Sequence, residues 1–425
     1  LKMITTINNK HNKLNVPNST DKGNVIRNLP NLRFPEFREE WEEHELSEYL
    51  DFKNGLNPKP NQFGKGIKFI SVMDILNNAV ITYDCIRASV SVSEEDMSAF
   101  SVQKGDILFQ RSSETLEDVG RANVYVDDIP AVFGGFVIRG KQKTNYNPLF
   151  FKYLLSSPLA RKRIIRMGAG AQHFNIGQEG LSKVKLPFAC IDEQNKIAKI
   201  LYLLDKRISL QNKIIDKLQT LIRGIMVELQ KQGLKNGTWK KFILADVLSE
   251  RSELNINLHQ VFSVSVSKGV VNQVEYLGRS FSAKDTSKYH VVHYGDIVYT
   301  KSPTGSFSYG IVKQSLNHDN VAVSPLYGVY KPKNFSTGMF LHQYFMSEVN
   351  TLNYLHPLIQ KGAKNTINIT NQRFLENRVA MPINTDTLLV ISQLLRSLNY
   401  KIEYQQSLLL QYQKQKQYLL RQMFI

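Results

Sequence analysis

The chain has 425 residues, with 54 Lys and Arg against 37 Asp and Glu and a formal net charge of +17. Its length favours two or three domains over a single core. The basic excess modestly favours nucleic acid as a partner, with anionic lipid or a basic surface that serves only solubility as the alternatives. Two cysteines, Cys85 and Cys190, exclude a disulfide framework, and the absence of a signal peptide or of an apolar run of roughly 18 to 20 residues predicts a cytoplasmic protein without membrane contact.

Residues 1–28 contain many Asn and Lys residues and almost no aromatic ones. Such a segment lacks the apolar side chains that would offset the entropy cost of ordering it, so we expect a disordered tail. Residues 29–190 have the pattern of a first α+β domain. Short apolar runs bounded by Gly, Asn, Pro and Asp predict strands, and the region 148–167 predicts short helices.

Residues 191–232 predict a long spacer helix. Apolar residues recur there at alternating spacings of four and three over more than four heptads, which indicates a coiled-coil seam. An amphipathic helix that packs only on its own domain is the alternative, which a strict period of 3.5 over this length disfavours. The seam positions are Ile197, Leu201, Leu204, Ile208, Gln211, Ile215, Leu218, Ile222, Ile225 and Leu229.

Residues 233–382 predict a second domain that repeats the first. The two tryptophans of the chain, Trp41 and Trp239, each begin the pattern W-x4-L-x3-L, and the segment from Gly105 matches the segment from Gly295. The two copies are offset by 198 and 190 residues at these points, so they differ by small insertions, as loops allow. The chain is therefore one domain-plus-helix unit written twice.

Residues 383–425 predict a second spacer helix. Positions 194 residues beyond the first seam keep apolar or Gln character, with Lys416 as the exception: Ile391, Leu395, Leu398, Ile402, Gln405, Leu409, Tyr412, Leu419 and Met423. If the seams pair along their lengths, connectivity makes the helices antiparallel, each roughly 35 residues and about 50 Å long. The predicted fold class is α+β, with two α/β domains separated by two long antiparallel helices in a pseudo-twofold repeat.

Gln211 and Gln405 lie near the midpoint of the two seams. They either hydrogen-bond to each other and fix the register at some cost in stability, or face solvent at a local gap.

Motifs for catalysis are missing from the sequence. Residues 147–150, Asn-Pro-Leu-Phe, lack the second proline of an adenine methyltransferase loop and predict a helix cap instead. The Gly-rich segment from Gly168 matches a dinucleotide fingerprint only in its first residues, and no phosphate-binding Gly-x4-Gly-Lys-Ser/Thr loop occurs. The Asp51-Phe52-Lys53 segment has no partner pattern for a metal-dependent nuclease, and the nine histidines do not cluster. We therefore expect no catalytic residue, metal or cofactor on this chain.

Several segments together resemble the specificity subunits of type I restriction–modification systems. They are the opening Asn-Leu-Arg-Phe-Pro-Glu-Phe at residues 31–37, the Leu-Pro ending of the first domain, the Asp-Glu-Gln-Asn-Lys-Ile segment at residues 192–197, and the helix from Leu201. The resemblance covers roughly residues 29–425. The second linker departs from it, with Asn-Thr-Asp-Thr at residues 384–387 where the first copy has the acidic-Gln motif.

The resemblance implies a DNA-recognition subunit without catalysis of its own. Each domain would read one half of a bipartite, asymmetric target in double-stranded DNA, and the helices would fix the gap and dock partners. It implies two methyltransferase subunits that use S-adenosylmethionine and two motor–nuclease restriction subunits that use ATP and Mg²⁺. A stand-alone DNA-binding or antirestriction protein of the same fold is the alternative, and co-purification with methyltransferase subunits separates the two.

Candidate DNA contacts fall on loops, where polar side chains reach phosphates and base edges. One matched pair of loops follows the Gly-Asp-Ile strands, and a second pair contains glycines that permit close backbone approach. Three lysines of a Pro/Gly loop and one after a Ser-rich run are expected to contact phosphates at most. Ordinary solvated turns are the alternative for each. The candidates are Arg111, Ser112 and Ser113 with Lys301, Ser302 and Thr304; Gln172 and His173 with Lys364 and Asn365; and Lys59, Lys65, Lys68 and Lys268.

Overall fold

The structure is a computed structural model that describes residues 29–170, 172–279, 282–361 and 367–425. The predicted disordered tail, residues 1–28, lies outside the described residues. The chain divides into two compact units: residues 1–206 with 413–425 form the first unit, and residues 207–412 form the second. Each unit mixes sheets and helices, which confirms the α+β class. The domain limits predicted at residues 190, 232 and 382 stay predictions.

The first unit contains two four-stranded sheets. In spatial order, the strands of one antiparallel sheet are Leu50–Asn54, Val137–Gln142, Ile107–Gln110 and Ala122–Val124. Those of the other sheet are Ala88–Val90, Phe63–Ile70, Ala131–Phe133 and Ser101–Val102. Two further strand pairs join Glu42–Glu45 to Lys185–Phe188 and Ser112–Ser113 to Phe174–Asn175. The short helices are Leu46–Tyr49, Val72–Asn77, Glu94–Phe100, Pro148–Leu155, Pro158–Ile165 and Gln178–Ser182.

The second unit has the same antiparallel four-stranded sheet. Its strands are, in spatial order, Leu248–Glu250, Gly328–Pro332, Ile297–Tyr299 and Val312–Gln314. Two-stranded pairs join Trp239–Ile243 to Arg378–Pro382, Phe262–Ser265 to Gly269–Asn272, His290–Val292 to Val321–Val323, and Gln360–Lys361 to Ile367–Asn368. The short helices are Gln273–Leu277, Phe335–Tyr344, Glu348–Leu355 and Asn371–Phe374.

The sheet order confirms the internal repeat, because equivalent strands occupy equivalent positions in both units. The turn before the third strand is also shared. Gly105 and Gly295 have φ of +96° and +90°, which favour glycine. The next residue accepts a backbone N–H across the turn in each copy, Asp106 from Gln103 at 2.9 Å and Asp296 from His293 at 2.8 Å. The matched Gly-Asp pair therefore forms the turn that leads into the third strand of the sheet in both units.

The strand after that turn is buried on both faces, as successive side chains alternate across a sheet. Ile107 and Phe109 pack into a core with Trp41, while Leu108 packs on the opposite side with Phe133. Helix Pro148–Leu155 closes the first core and begins at Asn147, whose side chain accepts from the backbone of Phe150 at 3.0 Å. The helix cap predicted at residues 147–150 is confirmed.

Two long helices complete the units. The first long helix, Ile191–Lys235, has 45 residues, and the second, Thr385–Gln422, has 38. At 1.5 Å per residue they are about 68 and 57 Å long. None of the helices in the described part of the chain is long and apolar enough to span a bilayer.

Within the second unit the long helices pair antiparallel. Gln211 donates its side-chain N–H to the backbone oxygen of Gln405 at 3.0 Å and also to its side-chain oxygen, and four residues earlier the Arg207 guanidinium lies 5.8 Å from the Tyr412 ring centre. From the Gln211–Gln405 contact to the Arg207–Tyr412 contact, the residue numbers fall on the first helix and rise on the second, so the two helices run in opposite directions. Seam residues of both helices, among them Ile215, Ile222, Ile391, Leu395 and Ile402, share the core of this unit.

Lys416, the exception in the predicted apolar seam, has a specific partner within the first unit. Its ammonium group lies 2.5 Å from the carboxylate of Asp205, which is buried and also accepts from the hydroxyl of Tyr153 at 2.8 Å. Lys152 lies 3.5 Å from the same carboxylate. Burial lowers the pKa of Lys152 to about 8, although Asp205 opposes that shift.

Candidate nucleic-acid interface

The structure brings two of the predicted DNA-contacting loops of the first unit together. Ser112 and Ser113 form a short antiparallel pair with Asn175 and Phe174, and the Ser112 hydroxyl donates to the side-chain oxygen of Asn175. The backbone N–H of Ile176 donates to the carbonyl of Arg111 at 2.9 Å. Loops that are about 60 residues apart in sequence thus form one surface, which we call the first reading surface (residues 111–113 and 168–175, except residue 171).

Gln172 and His173 lie at the exposed end of the first reading surface. The backbones of Ala169 and Asn175 exchange hydrogen bonds of 2.9 and 2.8 Å, which close a narrow loop between them. Inside it, a side chain on Gly170 would place its Cβ 2.0 Å from the carbonyl oxygen of His173. The glycine is therefore required by a close approach, and the two polar side chains are left facing solvent.

Arg111 has a structural contact as well as an accessible position. Its backbone N–H donates to the carbonyl of Phe136 at 2.9 Å, and its guanidinium donates to the carbonyl of Gly135 at 3.2 Å. The side chain is half-buried. An arginine has five N–H donors, so this contact leaves donors for a phosphate or a base edge.

In the second unit Lys301 occupies the position that matches Arg111. Lys301 adopts a left-handed backbone conformation with φ of +58°, which is uncommon for residues other than glycine, asparagine or aspartate. Burial lowers the pKa of Lys301, although the negative charge of the nearby Glu250 partly opposes this shift. The loop beyond it is closed by reciprocal backbone hydrogen bonds between Thr304 and Phe307, and Ser302 is exposed. The remaining candidates of this unit, Lys364 and Asn365, lie outside the described residues.

The four outlying lysines are placed differently from one another. Lys59 and Lys65 are exposed, whereas the ammonium group of Lys68 donates to the carbonyl of Ile86 at 2.8 Å. Lys268 lies in the second unit, exposed, with its ammonium group 5.5 Å from the Tyr276 ring centre. The DNA contacts predicted for all of these residues stay predictions.

A clamp that sequence reasoning did not identify joins two segments of the resemblance. Arg33 forms two hydrogen bonds of 2.7 Å with the buried carboxylate of Glu193, and the indole N–H of Trp41 donates to the same carboxylate at 3.0 Å. The hydrogen bond to Glu193 raises the pKa of Arg33. Gln194 then accepts the backbone N–H of Asn147 at 2.9 Å. The acidic-Gln motif thus anchors the start of the first long helix to the domain before it.

Groups of acidic, His and Cys side chains that could hold a metal ion are not found among residues 29–170, 172–279, 282–361 and 367–425. The fold defines a duplicated α+β protein in which each copy ends in a long helix. Residues 38–220 match the family model of the type I restriction modification DNA specificity domain. This match covers less than half of the chain, and it makes the chain similar to the specificity subunits of type I restriction–modification systems.

Two relatives show the extent of this similarity. A protein named as the specificity subunit of the type I restriction enzyme MjaX, from Methanocaldococcus jannaschii, is 25% identical over 243 residues. The match covers 56% of this chain and 56% of that protein, little more than half of each. The crystal structure of the S subunit of a type I restriction–modification system from M. genitalium covers 93% of this chain and 99% of its own, with a TM-score of 0.59 and 13% identity. The two proteins therefore share the fold.

Proposed function

We propose that this chain selects the DNA target of a type I restriction–modification complex, with one domain reading each half of a bipartite, asymmetric sequence. The observation that carries the proposal is the repeat itself. Both copies aim an equivalent strand into a loop with polar residues, yet the loops differ, with Arg111 and Ser113 in one and Lys301 and Thr304 in the other. Two domains with equivalent sheets and different loops are suited to read two half-sites of different sequence.

The paired long helices serve two purposes in this proposal. They fix the number of base pairs between the half-sites, and they dock the partner subunits. Leu210, Ile214 and Leu221 support docking, because their spacing places them on one helix face and their side chains are 58, 41 and 49% exposed. Two methyltransferase subunits would bind there and supply S-adenosylmethionine-dependent adenine methylation. Two restriction subunits with ATP and Mg²⁺ would complete the complex, and this chain would perform no chemistry.

The test begins with cells that express this chain with its methyltransferase partners. Sequencing that detects methylated adenines should find a motif in two unlike halves separated by a fixed gap. Exchange of residues 29–190 for the first domain of another family member should change one half and preserve the other. If the purified chain binds one sequence without any methyltransferase and does not co-purify with one, it is instead a stand-alone DNA-binding or antirestriction protein.

Salt dependence tests the two loops that follow the Gly-Asp-Ile strands, residues 111–113 and 301–304, which we call the reading loops. Arg111→Gln and Lys301→Gln, in the assembled complex, should each lower the slope of log affinity against log salt concentration by about 0.9 if each cation neutralises one phosphate. Lys331→Gln is the matched control, because Lys331 is exposed on the sheet of the second unit outside the reading loops. Slopes identical to the unmodified complex in both loop variants would remove these two residues from the interface.

A further inference from the structure

A large apolar side chain stands exposed at the same place in both copies. Phe136 is 69% exposed and Leu326 is 72% exposed. They are 190 residues apart, the same offset as the Gly-Asp turns. Strand register makes them equivalent, since Ile138 pairs with Phe109 as Gly328 pairs with Tyr299.

Each of these side chains lies at the tip of a tight turn. The N–H of Val137 donates to the carbonyl of Gly134 at 2.8 Å, and the N–H of Tyr327 donates to the carbonyl of Ser324 at 3.0 Å. These bonds define β-turns with Phe136 and Leu326 in the third position, where Gly, Asn, Asp and Ser are usual. We call the segments Gly134–Val137 and Ser324–Tyr327 the tip turns.

The first tip turn is held in place by Arg111, at the end of the strand that leads into the predicted DNA contacts. Arg111 donates twice to the first tip turn, from its backbone to Phe136 and from its guanidinium to Gly135. A side chain on Gly135 would place its Cβ 2.0 Å from the side-chain oxygen of Asn57, so the turn is packed tightly from the other side. In the second unit, Ser324 caps its turn by accepting the N–H of Leu326 at 3.3 Å.

An isolated exposed apolar residue is ordinary on a protein surface. The repeat makes these two different. Between the copies the rest of the tip turn changes, from Gly134 and Gly135 to Ser324 and Pro325, while a large apolar side chain at the third position is kept. Phe136 lies beside Arg111, and the chain has a net charge of +17, so DNA is the occupant that these observations favour.

We propose that Phe136 and Leu326 each contact the apolar surface of a base in the half-site of their own domain, and so determine specificity at one position. This rests on the proposed function. The apolar surface has two sources, the methyl group of a thymine in the major groove or a base face uncovered when a side chain enters a flexible step. Both exclude water from the side chain, and both discriminate between base pairs.

The experiment compares Phe136→Ala and Leu326→Ala in the complete complex, with Ile129→Ala and Val349→Ala as controls. The control side chains are also apolar, 51 and 64% exposed, and lie outside the reading loops and tip turns. Methylated-adenine sequencing should show that Phe136→Ala relaxes one position in the half assigned to residues 29–190, and that Leu326→Ala relaxes one position in the other half. Discrimination between base pairs at that position should fall about tenfold, and binding to unrelated DNA should stay unchanged. Both control variants should behave like the unmodified chain.

Binding to altered duplexes separates the two sources. If the relaxed position is a thymine, uracil there should weaken the unmodified complex about as much as alanine does and should leave the alanine variant unaffected. If a base step is opened, uracil has no effect and 2-aminopurine beside the step brightens only when the apolar side chain is present. Folded variants that leave both halves unchanged, or that both relax the same half, overturn the inference. A wild-type complex without a two-part motif would instead overturn the proposed function.

Discussion

At the scale of single residues, Glu193 carries a buried charge in the first unit. Its side chain is fully buried and accepts hydrogen bonds from Arg33 and Trp41, which lie 160 and 152 residues earlier in the sequence. Removing one member of a buried pair leaves the other uncompensated, which costs more than the pair contributes. We therefore expect Glu193→Gln to lower the free energy of unfolding of the first unit by about 3 kcal/mol.

The measurement is urea unfolding followed by Trp41 fluorescence in a Trp239→Phe background. Glu179→Gln is the matched control, because Glu179 forms an exposed ion pair with Lys183 one helical turn away. The control should unfold at the same urea concentration as its parent. Equal midpoints for the Glu193 and Glu179 variants would show that the clamp does not stabilise the unit.

Lys313 is a buried cation of the second unit whose ammonium group donates to the sulfur of Met346, a weak acceptor. Burial lowers its pKa to about 8. The unfolded chain therefore binds this proton more tightly, so the folded state is penalised fully below pH 8 and the penalty disappears as the pH rises to about 10.5. Lys313→Met should stabilise the second unit at pH 7 by up to about 3 kcal/mol.

Urea unfolding between pH 7 and 10.5 tests this prediction. The gain from Lys313→Met should shrink steadily above pH 8, while Lys331→Met, an exposed control on another strand of the same sheet, should behave like the unmodified chain throughout. A gain that does not change with pH would mean that packing, and not the proton, is responsible.

At the scale of elements, the Gln211–Gln405 contact explains why the apolar seam is interrupted. Two polar side chains at equivalent seam positions satisfy each other only in one register, at a cost in stability. Replacing both by Leu should raise the denaturant midpoint of the second unit, while Gln211→Leu alone should lower it, because the Gln405 amide then loses its partner.

Register can be measured directly by cross-linking. Arg207→Cys with Tyr412→Cys, in a chain whose Cys85 and Cys190 are Ser, should react rapidly with a short bifunctional thiol cross-linker when both Gln residues are present. The double Leu chain should cross-link more slowly, since its register is less fixed. Equal rates would show that the Gln pair does not specify register.

The elements differ in how far sequence predicts them. The long helices could be identified because a seam leaves a periodic signal along one segment, and the Gly-Asp turns because their residues are adjacent and repeated. The clamp of Arg33, Trp41 and Glu193 could not, since it joins residues that no local pattern links. The pairing of Ser112 with Asn175 depends on strand register, which short strands specify weakly in sequence. The equivalence of Phe136 and Leu326 could be predicted from their shared offset of 190 residues. Their exposure could not, because it depends on the β-turns that carry them.

At the scale of the whole molecule, the length of the paired helices becomes a property of the DNA target if the proposed function holds. Seven residues inserted into each long helix at equivalent positions, next to Gln211 and Gln405, keep the apolar seam continuous and add about 10.5 Å. One base pair spans about 3.4 Å of duplex, so the gap in the methylated motif should lengthen by about three base pairs. Affinity should fall as well, because three base pairs also rotate one half-site about a third of a turn relative to the other.

An insertion of three residues at the same two positions is the control for that prediction. Three residues do not complete a heptad, so the apolar positions no longer face the partner helix and the helices should pair poorly. Methylation should then be lost, and no motif with a new gap length should appear. The readout is the gap length in the methylated motif, measured for each chain with identical methyltransferase subunits. Both half-sites should stay the same in the seven-residue variant, since neither domain is altered. A seven-residue variant that methylates with the original gap would show that spacing is set elsewhere, by the partners or by the domains, and the helices would then serve docking alone.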